Sequence, residues 1–184
     1  MPFTDHINKL NIELPDETLE AAGDGRDKVM KEKGSIQTSF GIFHYHEDFQ
    51  SYELDDGKIY WALKPLKDDD QREVRDLIQK AEQLHKDLAV FEPKAKAAIA
   101  EELIDYKNDV WPEYDEDDED LDWDAVDAGE YAVSKEKFAA SMSLLHIDIR
   151  TDEIYLEYDD GEMFGGHRIH AHFDFDYNFI KADV

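Results

Sequence analysis

Ile154-Tyr155-Leu156-Glu157-Tyr158-Asp159-Asp160-Gly161-Glu162-Met163-Phe164-Gly165-Gly166-His167-Arg168-Ile169-His170-Ala171-His172 reads as strand, polar turn, glycine break and strand. Its first half alternates apolar and acidic residues, which sets Ile154, Leu156 and Tyr158 on one face of a sheet. Asp160-Gly161 is a turn signal, because glycine accepts the positive φ that tight turns demand. Gly165-Gly166 has no strand propensity and marks a bulge or a close backbone approach.

Strands continue on both sides of this hairpin. Leu144 to Ile149 is an apolar run of strand length, joined to the hairpin by the turn Arg150-Thr151-Asp152-Glu153. Phe173 to Ile180 continues the aromatic alternation and suits a last edge strand. Upstream, Ser134 is a good N-cap for a short helix over Lys135–Met142, with Phe138 facing inward. In the N-terminal half, Ile36 to Tyr45, Ser51 to Leu54 and Lys58 to Leu63 form a three-strand meander whose second turn is Asp56-Gly57.

Between the two groups of strands lies helical periodicity. Val74, Leu77, Ile78, Ala81, Leu84 and Leu88 recur at spacings of three and four, and acids at Asp68, Asp69 and Asp70 suit the positive end of a helix dipole. Ala95, Ile99, Leu103, Tyr106 and Val110 repeat the pattern after Pro93. The short link Phe91-Glu92-Pro93 predicts an antiparallel helix hairpin, ended at Trp111-Pro112. The expected class is therefore α+β: an antiparallel sheet, from the N-terminal meander and C-terminal hairpin strands, with a two-helix hairpin and a short helix on one face. Residues 1–34 read as an arm, helical or partly disordered, and 35–184 as a single domain with an acidic insert at 113–130.

Composition narrows function. The chain of 184 residues has 47 Asp and Glu against 20 Lys and Arg, a net charge of −27. A field of that sign repels nucleic acid and anionic membrane and attracts cationic surfaces. With no cysteine there is neither disulfide nor thiolate metal site. No secretory signal or membrane-length apolar run is present, so a cytoplasmic location is expected.

Three features could carry chemistry. His170 and His172 point to the same face of a strand while His167 points to the other, and His44 and His46 form a second pair that could meet them on a neighbouring strand. No carboxylate or thiolate stands at a defined ligand spacing, so these histidines read as half-exposed strand residues and only weak metal candidates. Asp159-Asp160-Gly161-Glu162 lacks the ligand positions of a calcium loop and reads as a turn. The third feature is the run from Glu113 to Glu130, with eleven Asp and Glu and no Lys, Arg or His. Such a segment is expected to be an extended, solvated loop, yet Tyr114, Leu121, Trp123 and Val126 interrupt it. Leu121 and Trp123 either staple it to the body or await a partner. It is a decoy for a basic surface or a loop that keeps the chain soluble. Glu113, Tyr114, Asp115, Asp117, Asp118, Asp120, Asp122, Trp123 and Asp124 are its candidate contact residues. Fingerprints for phosphate, dinucleotide, serine-hydrolase or zinc-protease sites are absent, no cofactor is implied, and enzyme is the minority reading.

Phe40-Gly41, Leu103-Ile104-Asp105-Tyr106-Lys107-Asn108-Asp109-Val110-Trp111, the helix carrying Phe138 and the hairpin from Tyr158 to Ile169 together resemble the bacterial family catalogued as domain of unknown function 2262. The resemblance covers about Ile36 to Val184. Position by position it matches Asn108, Trp111, Asp160, Gly161, Phe164, Gly166 and His167, while His170 and His172 depart from the apolar or small residues expected there. The resemblance implies a cytosolic bacterial protein of a kind suspected to be an immunity factor for secreted toxins. Two readings follow: a non-catalytic binder that neutralises a basic toxin, nuclease-like or otherwise, or another cationic protein, and a metal-dependent module built on the C-terminal His/Asp cluster. A plain scaffold is the third. In the first reading His167 is structural and hydrogen-bonds a nearby backbone or Asn108.

Overall fold

The computed structural model describes residues 34–67, 70–115 and 117–184. The expected arm at 1–34 lies outside these residues except for Gly34, as do Asp68 and Asp69. The described chain builds β1 (Ser35–Gln37), β2 (Ile42–His46), β3 (Ser51–Asp55), β4 (Tyr60–Lys64), α1 (Gln71–Val110), α2 (Trp123–Asp127), α3 (Lys135–Ser141), β5 (Ser143–Arg150), β6 (Ile154–Asp159), β7 (Arg168–Phe173) and β8 (Phe179–Asp183). All eight strands join one sheet in sequence order. Every neighbouring pair is antiparallel except β4 and β5, which α1 connects by a crossover. The α+β expectation is met.

The helix hairpin is not. The two apolar patterns run on as one helix of 40 residues, about 60 Å long, with Pro93 inside it. Proline removes one intrahelical donor, leaving the Ala89 carbonyl without its partner. Continuous burial outweighs that loss: Leu84, Phe91, Ala95, Ile99 and Leu103 follow one another at spacings of seven and four without a phase break. Reversing the chain at Pro93 would have discarded the Phe91 contacts with Phe173 and Tyr177. At the start of the helix the Asp70 carboxylate accepts the backbone N–H of Arg72 and Glu73.

One core lies between α1 and the sheet. Trp61, Leu63, Ile147, Ile149, Leu156 and Tyr158 are among the sealed strand residues facing the helix. Ile154, Leu156 and Tyr158 do share one face, as their alternation predicted. The N-terminal strand run breaks in two at Thr38, whose hydroxyl bonds the Gly41 carbonyl, so the meander gains β1. The expected last edge strand begins only at Phe179, after a turn held by the Asp174 carboxylate. Among the described residues no helix is long and apolar enough to cross a membrane.

Candidate functional site

The acidic insert leaves the last turn of α1, and adjacent residues of that turn clamp both its ends. Lys107 is 2% exposed; its ammonium donates to the Trp111 carbonyl and pairs with the Glu113 carboxylate at 2.8 Å. That hydrogen bond holds the Glu113 carboxyl below its usual range. The Asn108 side chain donates to the Val133 carbonyl at 3.2 Å and accepts the Val133 N–H at 2.9 Å. Glu113, a predicted contact residue, is thus also the insert's anchor.

Between the clamps the run is not the expected extended loop. Asp115 accepts the Asp117 N–H, Asp118 that of Asp120, and Asp122 those of Asp124 and Ala125. These carboxylates spend their charge on their own backbone, folding a series of tight turns where repulsion alone would stretch the chain. The last of them caps α2, a helix of five residues that opens on Trp123. Tyr114 packs edge-on against Tyr131 at 5.7 Å. Trp123 does not staple the lobe, because it is 54% exposed. Leu121 is half-buried, and Asp117, Asp118, Asp120 and Asp124 are exposed in the same run.

The β6–β7 hairpin behaves as a structural device. Asp160, sealed from solvent, accepts the backbone N–H groups of Glu162, Phe164 and Gly166, so the loop from 160 to 167 wraps one carboxylate. Gly161 has φ +61°, and a Cβ there would meet the Ser141 carbonyl at 2.6 Å; only glycine fits. Phe164 is fully buried among Tyr106, Trp111 and Phe138. Contrary to expectation, Asn108 holds Val133 rather than His167. His167 is exposed and lies edge-on to Trp111 at 5.7 Å.

Nor do the histidines converge. β2 and β7 are separated by four strands, so His44 and His46 cannot meet His170 and His172. His170 shares a hydrogen bond with the Tyr155 hydroxyl, and His172 Nδ1 lies 2.9 Å from Glu153. No group of three or more potential metal ligands forms among the described residues.

What the sequence reading passed over is the sheet face away from α1. The register carries one row across all eight strands: Ser35, His44, Glu53, Ala62, Asp148, Tyr155, His172 and Lys181. A second row beside it runs Asp55, Tyr60, His146, Glu157, His170 and Asp183. A bulge at Leu145 resets β5 so that Leu144 faces the core and His146 the open face. At the centre Asp148 is 1% exposed. Burial pushes its carboxyl up, but His146 and Lys64 together outweigh that and hold it below its ordinary value. On one flank Tyr60 donates to Glu53, and burial with that bond raises its phenol well above the usual range. On the other, burial and nearby acids push Tyr155 up to about 12. The signal was His146-x-Asp148-x-Arg150, a polar alternation in a central strand that a buried parallel pair would not need.

Two surface hollows lie elsewhere. One, of about 520 Å³, runs between α1 and the β7–β8 turn beside Val90, Lys94 and Tyr177; the other, of about 450 Å³, lies between α1 and α3 beside Pro93. Neither gathers a set of catalytic groups.

No curated protein and no solved structure matches the chain. A family model does, over residues 37–184, and it includes the α1 end, the clamped insert and the Asp160 hairpin; the chain belongs to the bacterial family described as uncharacterized protein conserved in bacteria, domain of unknown function 2262.

Proposed function

We propose that this protein is a non-catalytic binder that covers a basic surface of a protein partner with its acidic lobe, and that the partner class is a toxin enzyme with a cationic cleft. The observation that carries the reading is Trp123, 54% exposed within a lobe whose ends are clamped by Lys107 and Asn108. An exposed indole in a run of exposed carboxylates offers an anchor for the centre of an interface and charge for its rim. Clamping lowers the ordering cost that a free acidic loop would meet on binding. The chain's −27 then steers encounter with a cationic target and repels nucleic acid competing for the same cleft.

The test takes as its probe a toxin enzyme with a cationic cleft whose activity this chain inhibits. Deleting residues 113–130 weakens binding and flattens its dependence on salt, while Trp123→Ala weakens binding by about tenfold or more and leaves the salt slope unchanged. Unchanged affinity and unchanged salt slope in the deletion would remove this reading.

A further inference from the structure

Three basic side chains surround one sealed carboxylate on the open face. Asp148 Oδ2 lies 2.6 Å from Lys64 Nζ and 3.2 Å from an Arg150 guanidinium nitrogen, and Oδ1 lies 2.6 Å from His146 Nε2. The His146 contact falls off the line of a hydrogen bond, so both atoms are buried without an aligned partner among the described residues. Burying a carboxylate costs several kcal/mol unless cations repay it. At the Lys107–Glu113 clamp it is the cation that is sealed, 2% exposed against 38% for its acid. Here the acid is 1% exposed while Lys64 and Arg150 remain 41% and 33% exposed.

The cations are also held in place. Lys64 and Arg150 are register partners at the ends of β4 and β5, the one parallel pair of the sheet. Arg150 donates to Glu153 at 2.7 Å and its guanidinium lies 4.3 Å from the centre of the Tyr155 ring, which fixes the plane of the fork. An ammonium has three donors and a guanidinium five, and Asp148 and Glu153 use only part of that set. The donors without a partner among the described residues sit on partly exposed heads.

We propose that Lys64 and Arg150, positioned by Asp148, form an oxyanion site on the open sheet face that takes the carboxylate or phosphate group of a small ligand. Lys64, Arg150, Asp148 and Glu153 sum to no net charge, so affinity rests on directed, charge-assisted donors. The −27 of the whole chain is screened beyond about 8 Å at physiological salt and does not forbid a local contact.

Amide-resolved NMR titrations of the full chain with sodium phosphate and, separately, sodium succinate test this, with ionic strength held constant by sodium chloride. Saturable shifts at Lys64, Asp148 and Arg150 are expected with at least one anion, and comparison of the two arms names the group. Lys64→Gln, a change at a half-buried position that keeps a donor near Asp148, lowers affinity by about tenfold. Asp148→Asn lowers it too, although it removes a negative charge; a rise would show that charge alone governs and would overturn the positioning role. Absence of a saturable shift with either anion, or an equal shift in Lys64→Gln, would overturn the site.

Discussion

The Asp160 carboxylate accepts the Phe164 backbone N–H at 2.7 Å from a position that solvent does not reach. The same side chain takes the N–H groups of Glu162 and Gly166, each at 3.1 Å, so one residue closes the loop between β6 and β7. Asp160→Ala strands these donors and frees Phe164 from its slot beneath Trp111. A loss of about 2–4 kcal/mol is expected in urea unfolding, because buried donors forfeit charge-assisted bonds. Asp160→Asn keeps an acceptor and recovers part of that loss. A change below about 0.5 kcal/mol in Asp160→Ala would show that the loop is closed by other contacts.

Asn108 is the second clamp to test. Its amide both donates to and accepts from Val133, as a strand neighbour would. Asn108→Ala is expected to cost about 1–2 kcal/mol, and Asn108→Asp nearly as much, since the acid keeps the acceptor but leaves the Val133 carbonyl facing a negative oxygen. Hydrogen exchange supplies the local readout: amides of residues 113–133 should lose protection while those of β6 and β7 keep theirs. Uniform loss across the fold would mean that Asn108 supports the whole core instead of the lobe.

Periodicity alone made the strands and most of the core legible in the chain. The alternation of Ile154, Leu156 and Tyr158 predicted their shared face, and Asp56-Gly57 predicted the β3–β4 turn, where Gly57 has φ +82° and the Asp56 carboxylate takes the Lys58 and Ile59 N–H groups. At Pro93 a local helix-breaking signal conflicts with a longer one, and the longer one decides the structure. Leu88 and Ala95 are seven apart, so the apolar stripe crosses the proline in phase, and the in-phase stripe is the better guide. The place of the acidic lobe is legible in its charge but its shape is not, since the Asx turns that Asp115, Asp118 and Asp122 make oppose the repulsion. The open face was invisible for another reason. Which polar residues stand side by side depends on register across strands 80 or more residues apart in the chain, as with Lys64 and Asp148.

Acid should weaken the Glu153 contacts in a defined direction. Burial pushes this carboxyl up, but hydrogen bonds from His172 and Arg150 outweigh it and hold the group below its ordinary 4.5. A depressed carboxylate contributes stability that is fully present above its unfolded value and is lost as pH falls through the folded value. The stability gap between the wild type and Glu153→Gln should therefore be widest near neutrality and shrink below about pH 4.5. Taking the difference cancels the general relief of repulsion as the chain's other acids protonate. A gap that stays constant from about pH 7 to about pH 3 would show that Glu153 acts through packing alone.

Tyr158 makes the opposite kind of prediction, a gain on removing a polar group. Its ring is fully buried beneath α1, and its hydroxyl is sealed with no hydrogen-bond partner among the described residues. Burial raises the phenol far above its ordinary range, so the group is neutral at all working pH values. Lys96 lies 6.0 Å from the ring centre, a contact that phenylalanine keeps. Tyr158→Phe deletes an uncompensated hydroxyl without leaving a cavity of any size, and stabilisation by about 0.5–1 kcal/mol is expected in urea midpoints. Destabilisation beyond about 1 kcal/mol would instead reveal a buried water on the hydroxyl, because losing a satisfied hydrogen bond is the one route by which so small a deletion at this site costs that much.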